Sequence, residues 1–142
     1  MSYFRATDPF PLEAAEQTKL YEFYARLAGG HLVTTRCAGC GEVAWPPRCF
    51  CPACGSDAFD WIDLPLEGVI HAFTVQEAGL PPGFEGPRVF AIVKVDGHRI
   101  FSIIVGTEPG AVAIGQHVRL SPLRVADGPD GNPRWLPAFT RV

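Results

Sequence analysis

All five cysteines of the 142-residue chain lie between residues 37 and 54. Four of them form two Cys-x-x-Cys pairs, Cys37 with Cys40 and Cys51 with Cys54, separated by ten residues. Four thiolates supply the soft tetrahedral shell that Zn2+ prefers, and a two-residue spacer lets both sulfurs of a pair face one ion. Gly41 and Gly55, each directly after the second cysteine of its pair, supply the tight turn such a knuckle needs. The gap between pairs is shorter than the roughly fifteen to twenty residues of a common ribbon signature, so compact, rubredoxin-like knuckles are expected. Iron is the alternative occupant, because the donor set alone does not separate the two metals. The ion is expected to be structural, since four thiolates close the shell and a catalytic zinc keeps one position open.

The remaining chemistry-bearing residues are weaker candidates. Cys49 stands beside Arg48, which favours a thiolate, but no histidine lies nearby in sequence to serve as its base, so an idle thiol is expected. His71 is a lone histidine among apolar neighbours and reads as a strand position without chemistry. No Gly-x-Ser-x-Gly elbow or phosphate loop occurs, and spacing brings no acid and base together. Five cysteines is an odd number and Met1-Ser2-Tyr3 begins no charged and apolar leader, so a reduced, cytoplasmic protein is expected rather than a disulfide framework. No run approaches the roughly eighteen apolar residues of a membrane span.

A hydrophobic content of 47% with 19% charged residues is globular, and 15 Gly with 14 Pro imply many turns and short strands. The net charge of −3 is evenly spread: residues 1–30 carry three basic and four acidic groups, 31–60 two and three, and 61–142 seven and eight. No segment is basic, which argues against nucleic acid as a partner, because such binding needs several cations on the phosphates.

These residues must be positioned by short elements. Asp8-Pro9-Phe10-Pro11 reads as a helix start with Asp8 as cap. Leu20, Phe23, Tyr24 and Leu27 follow at helical spacing, Glu22 and Arg26 form an i,i+4 pair, and Gly29-Gly30 stops the helix. Its aromatic stripe, Tyr21 and Tyr24 included, packs either on its own domain or on a partner. Residues 31–36 and 59–61 are expected to lead into and out of the metal site as strands. Trp45-Pro46-Pro47-Arg48 forms a stiff apolar tip between the knuckles, either a lid or an interaction surface.

Beyond residue 65 the pattern alternates. Val69, His71, Phe73 and Val75 read as one face of a strand headed by Gly68, and residues 78–87 as a loop. Residues 89–95, Asp96-Gly97 and residues 99–105 form the best hairpin signal, because Asp-Gly accepts the positive φ values of a type I′ turn. Residues 115–125 and 135–140 are further strands, separated by the turn "ADGPDGNP", which lacks the ligand spacing of a calcium loop. The expected division is a helical segment at 1–30, a zinc ribbon at 31–61 and a barrel at 62–142. Five short antiparallel strands without a helical crossover predict a mostly β chain ending in a five-stranded OB-fold barrel.

The chain resembles a family in which a rubredoxin-like zinc ribbon is joined to an acyl-CoA-associated OB-fold, long catalogued as a domain of unknown function. The likeness covers nearly the whole length. It rests on "EAAEQTKLYEFYARLAGGHLVTTRC", "CAGCGEVAWPPRCFCPACGS", "GVIHAFTV", "PRVFAIVKV", "IGQHVRL" and "LPAF". It implies a non-catalytic accessory subunit that docks on a thiolase-superfamily enzyme and helps form its acyl-CoA site, with zinc held by Cys37, Cys40, Cys51 and Cys54. Tyr21, Tyr24, Trp45, Pro46, Pro47 and Arg48 are then candidate partner contacts, and Arg88 or Arg99 could meet a coenzyme-A phosphate. Two rivals remain: a nucleic-acid module stacking bases on Trp45, Phe73, Phe90 and Phe101, and a stand-alone acyl-CoA hydrolase or hydratase using His71 or Cys49.

Overall fold

The structure, a computed structural model, describes residues 10–80 and 84–142. The helix expected from Asp8 onward starts later. Asp8 and Pro9 lie outside the described residues, and residues 14–18 make only an isolated turn closed by Gln17 and Thr18 amides on the Ala14 carbonyl. The regular helix α1 spans Tyr21–Ala28. The delay has a tertiary cause: the carbonyls of Phe10 and Pro11 are taken by the guanidinium of Arg134, at 3.4 Å each, so they serve no helix. At its far end α1 closes as expected, with Gly30 at φ 86° and the amides of Gly30 and His31 bonded to the Leu27 and Arg26 carbonyls. The Glu22–Arg26 pair forms at 3.1 Å, and Phe23 and Leu27 point into the core.

Three strands build the ribbon: β1 (Val33–Cys37) lies between β2 (Val43–Ala44) and β3 (Phe59–Asp63), antiparallel to both. The barrel follows as β4 (Glu67–Gln76), β5 (Arg88–Val95), β6 (His98–Val105), β7 (His117–Leu120) and β10 (Ala138–Arg141), closed in the order β10-β6-β5-β4-β7. That is the OB-fold arrangement. The turn between β5 and β6 has the predicted form, with Asp96 at φ 47° and Gly97 at φ 80°. One pair departs from the all-antiparallel expectation: β10 lies parallel to β6, Phe139 opposite Ile104, because β10 closes the barrel by running antiparallel to β7 on one side and filling the gap beside β6 on the other.

Two proline breaks divide strands that the pattern joined. The stretch 115–125 becomes β7 and β8 (Leu123–Val125), and 135–140 becomes β9 (Arg134–Leu136) and β10. Pro122 and Pro137, lacking an amide hydrogen, end each barrel ladder, and the intervening chain leaves as a two-stranded arm of β8 with β9. The alternation in β4 also shifts phase. A bulge between Ile70 and Ala72 leaves Ile70 1% exposed in the core and His71 on the surface, after which Phe73 faces Ala91.

One core serves all parts: Phe23 and Leu27 of α1, Leu32 and Val33 of the ribbon, and Val93, Ile100 and Phe139 of the barrel form a single buried cluster. The segment before α1 is tied down by polar contacts. Arg134, 4% exposed, stacks on the Phe10 ring at 5.4 Å and donates to the Ala126 and Asp127 carbonyls. Glu13 accepts the Trp135 amide at 3.1 Å. Among the described residues no helix is long and apolar enough to cross a membrane.

A Cβ at Gly68 would lie 2.6 Å from the Lys94 carbonyl oxygen and 2.7 and 2.8 Å from methyls of Val95 and Val93, at the point where β4 pairs with both β5 and β7. Gly68→Ala is expected to cost about 1–3 kcal/mol in denaturant unfolding. Burial pushes the Glu13 carboxyl up to about 7, against the opposing pull of the Trp135 amide and Arg134. A carboxyl with a raised folded pKa favours the fold while protonated, and that contribution is lost as pH rises from about 4.5 through about 7. Glu13→Gln, which keeps an acceptor for the amide, should remove this part of the pH profile in thermal melts taken across that window.

Candidate metal centre and its surroundings

The two knuckles repeat one local geometry. In the first, the Cys37 amide bonds to the Glu42 carbonyl at 2.9 Å, and the Gly41 amide closes on the Cys37 carbonyl at 2.9 Å with φ 81°. In the second, Cys51 and Ser56, then Gly55 and Cys51, make the same bonds at 2.8 Å, with Gly55 at φ 80°. The left-handed residue falls directly after each second cysteine, where glycine adopts it without strain. The amides of Gly39 and Ala53 each lie 3.3 Å from the sulfur of the preceding knuckle cysteine, Cys37 or Cys51.

The turns bring the four predicted sulfurs together. Cys37 to Cys54 and Cys40 to Cys51 are each 3.6 Å apart, and all four Sγ atoms lie within 4.8 Å of one another. Thiolates about 2.3 Å from a tetrahedral ion stand roughly 3.8 Å apart, so the cluster fits Zn2+ without rearrangement. Cys37 and Cys51 are buried while Cys40 and Cys54 face solvent. The Cys37 thiol is pulled down to about 6, chiefly by the Cys40 amide and then by Gly39, while Cys40, against the pull of the Glu42 amide, is pushed up to about 12 by the Cys51 sulfur, so the cluster favours one thiolate and its neighbours need a cation to join it. Four sulfurs leave no open position, so the centre stabilises the ribbon and performs no reaction.

The other sequence-selected residues do not converge on one site. Trp45 is half-buried and packs edge-on against Phe23 of α1 at 6.0 Å, Pro47 is buried, and Pro46 is exposed. The tip is therefore folded onto α1, and the Arg48 amide pins it to the Thr35 hydroxyl at 2.9 Å. Tyr24 stacks edge-on against Phe23, whereas Tyr21 is 40% exposed beside the loop joining β8 and β9. Arg99 is exposed on β6 opposite Lys94, and Arg88 lies half-buried at the start of β5. Cys49 is half-buried on the ribbon loop.

Two apolar surfaces were less legible. Phe50, between Cys49 and Cys51, is 60% exposed, and its only sequence signal was an apolar residue squeezed between ligands in a solvent-facing loop. Phe84, from a stretch that reads only as loop, joins Phe90 and Phe101 along an open groove on the barrel. Phe90 and Phe101 carried a signal, since they sit out of phase with Val89, Ala91 and Ile100 of the core.

Replacing Cys37 or Cys54 by Ser should reduce bound zinc from one per chain to none and melt the ribbon, read by metal analysis and amide NMR. Cys49→Ser should keep both the metal and the spectrum.

A family model described as "ChsH2, rubredoxin-like zinc ribbon domain" matches residues 25–60, and one described as "ChsH2, C-terminal OB-fold domain" matches residues 61–121. A DUF35 domain-containing scaffold protein of Methanocaldococcus jannaschii is 36% identical over 105 residues, covering 70% of this chain and 74% of the relative. Benzoylsuccinyl-CoA thiolase subunit BbsA of Thauera aromatica is 29% identical over 108 residues, 75% of this chain and 74% of that one. A probable enoyl-CoA hydratase alpha subunit of Thermomonospora curvata is 36% identical over 90 residues, which span 63% of this chain but only 28% of the relative. Among solved structures, a chain of the "Ltp2-ChsH2(DUF35) aldolase" superposes with a TM-score of 0.72 at 27% identity, covering 95% of this chain and 98% of that one. With its four-cysteine ribbon and closed five-stranded barrel, the chain belongs to the DUF35 family of rubredoxin-like zinc ribbons joined to an OB-fold.

Proposed function

We propose that the chain is a non-catalytic, zinc-holding accessory subunit that docks on a thiolase-superfamily enzyme and completes the border of its acyl-CoA site. The observation that carries this reading is the end-to-end likeness to a chain of the Ltp2-ChsH2(DUF35) aldolase, 95% of one chain against 98% of the other. The relative named as a thiolase subunit and the one named as a scaffold protein support the same role.

In this reading the metal-held ribbon, residues 31–61, and the helical segment, residues 1–30, form the docking side. The barrel, residues 62–142, borders the acyl-CoA or pantetheine channel. Phe50 offers an apolar contact on a loop already fixed by the metal and by the Arg48–Thr35 bond, so little loop entropy is lost on binding. Arg99, exposed and without an acidic partner among the described residues, suits a coenzyme-A phosphate. Carbon–carbon bond cleavage or formation beside the thioester would then rest with the partner's residues. The rival readings find less support: the charge is even and slightly acidic, and His71 and Cys49 sit on different elements, one at the barrel bulge and one on the ribbon loop.

Gentle purification from the native host, with size exclusion and mass spectrometry of the peak, tests the role. A thiolase-like protein should co-elute without nucleic acid, and the isolated chain should turn over no thioester; a lone chain, or one carrying nucleic acid, would overturn the reading. Phe50→Asp should weaken that complex by about tenfold or more while leaving the zinc content unchanged.

A further inference from the structure

Between Phe10 and Phe23 no residue is buried. The segment 12–19 therefore lies on the rest of the chain with little apolar adhesion, and Leu12 is 46% exposed. Its turn bonds are internal: the Gln17 and Thr18 amides close on the Ala14 carbonyl, and the Ala14 amide meets the Gln17 side chain. Two ties reach the arm of β8 and β9. Arg134 holds the Phe10 and Pro11 carbonyls and stacks on the Phe10 ring. Glu13 accepts the Trp135 amide at 3.1 Å, and among the described residues this is the only hydrogen-bonded link from residues 12–19 to the arm. The first tie fixes a pivot, and the second decides whether the segment beyond it stays down.

The second tie is poorly furnished for a charge. A half-buried carboxylate is ordinarily met by a cation or by about two or three amide donors. Glu13 has one amide and no ion pair among the described residues. The charged and titratable groups facing it across a cleft of about 350 Å³ are Arg134 and Asp130 from the arm, Tyr21 and Tyr24 from α1, and Glu16 from its own turn. Arg134 favours a charge on Glu13 but donates to four carbonyls, while Asp130 opposes it. The Asn132 amide holds Asp130 below the usual carboxylate range, and burial holds Tyr24 above the usual phenol range, so neither changes charge near neutrality. No histidine lines the cleft.

We propose that residues 12–19 form a proton-held strap: with a neutral Glu13 carboxyl the segment lies on β9 and covers the Tyr24 flank of α1, and with a charged carboxyl it swings out about the Arg134 pivot. Charge drives release because the freed carboxylate regains its full hydration, whereas on the arm it keeps a single donor. In the closed form burial outweighs the Trp135 amide and pushes the carboxyl up to about 7, from an ordinary value of 4.5. Closing therefore takes up a proton between those values, and the closed fraction falls as pH rises through that window. The opening constant rises there by up to about tenfold per pH unit and levels off above it. The bared flank belongs to the docking side proposed above, and that consequence rests on that reading. The strap itself is a property of this chain and is tested without a partner, so either can fail alone.

The zinc-loaded full chain should be followed by NMR from about pH 5 to about pH 8. The Glu13 carboxyl carbon should titrate with a midpoint near 7. The Trp135 amide should lose about tenfold or more of its protection factor across the window, and heteronuclear NOE values of residues 13–18 should drop in step. Val93 and Ile104 in the barrel should remain better protected than Trp135 throughout. Glu13→Gln should hold the strap down at every pH, whereas Glu16→Gln should leave the transition in place. A Glu13 midpoint near 4.5 with flat Trp135 protection would overturn the proposal. So would a transition that survives Glu13→Gln, or protection factors equal at Trp135, Val93 and Ile104, which would mean that the segment opens only by global unfolding.

Discussion

The ribbon depends on four sulfurs meeting at one ion. Between residues 37 and 56 the chain turns back on itself twice with few buried apolar side chains, so packing alone supplies little to offset the entropy of ordering it. Zinc binding replaces that missing core, because the free energy of ligation becomes folding free energy. The order then spreads outward through neutral contacts. The Thr35 hydroxyl holds the Arg48 amide, the Thr34 hydroxyl donates to the Ala44 carbonyl, and Trp45 is delivered to Phe23 of α1. A chain of that kind is rigid where it meets solvent, which suits a surface that docks.

The barrel obeys a different constraint. Closure brings β4 into register with both β5 and β7, and Gly68 is the residue small enough for the crossing. Prolines 122 and 137 release an arm from the closed wall, and the arm reaches back to the N-terminal segment through Arg134 and Glu13. Helix, ribbon and barrel thus share one core and one set of long-range polar ties.

Local chemistry was legible in the sequence and long-range competition was not. The cysteine spacing and the glycines after Cys40 and Cys54 define their turns within six residues, and Asp96-Gly97 defines its hairpin within two; both motifs have the expected form. The fold class also follows from such signals, since the pattern of short strands leads to a closed barrel. The helix start was misplaced because a side chain 124 residues away claims the Phe10 carbonyl. The phase of β4 was misread past a bulge that periodicity alone does not reveal, and the parallel β6–β10 pair depends on closure of the whole sheet. Phe50 and Phe84 escaped notice for a related reason: in a loop an aromatic residue has no period to betray which side it faces.

The central claim is that a metal-held ribbon makes this chain a docking subunit whose partner does the chemistry. The most direct measurement is thioester turnover by the co-purified catalytic partner, reconstituted with this chain either zinc-loaded or stripped by chelator. The account predicts that the zinc-loaded chain supports turnover, that the stripped chain does not, and that returning zinc restores it. Equal turnover with the stripped chain, or turnover by this chain without any partner, would contradict it.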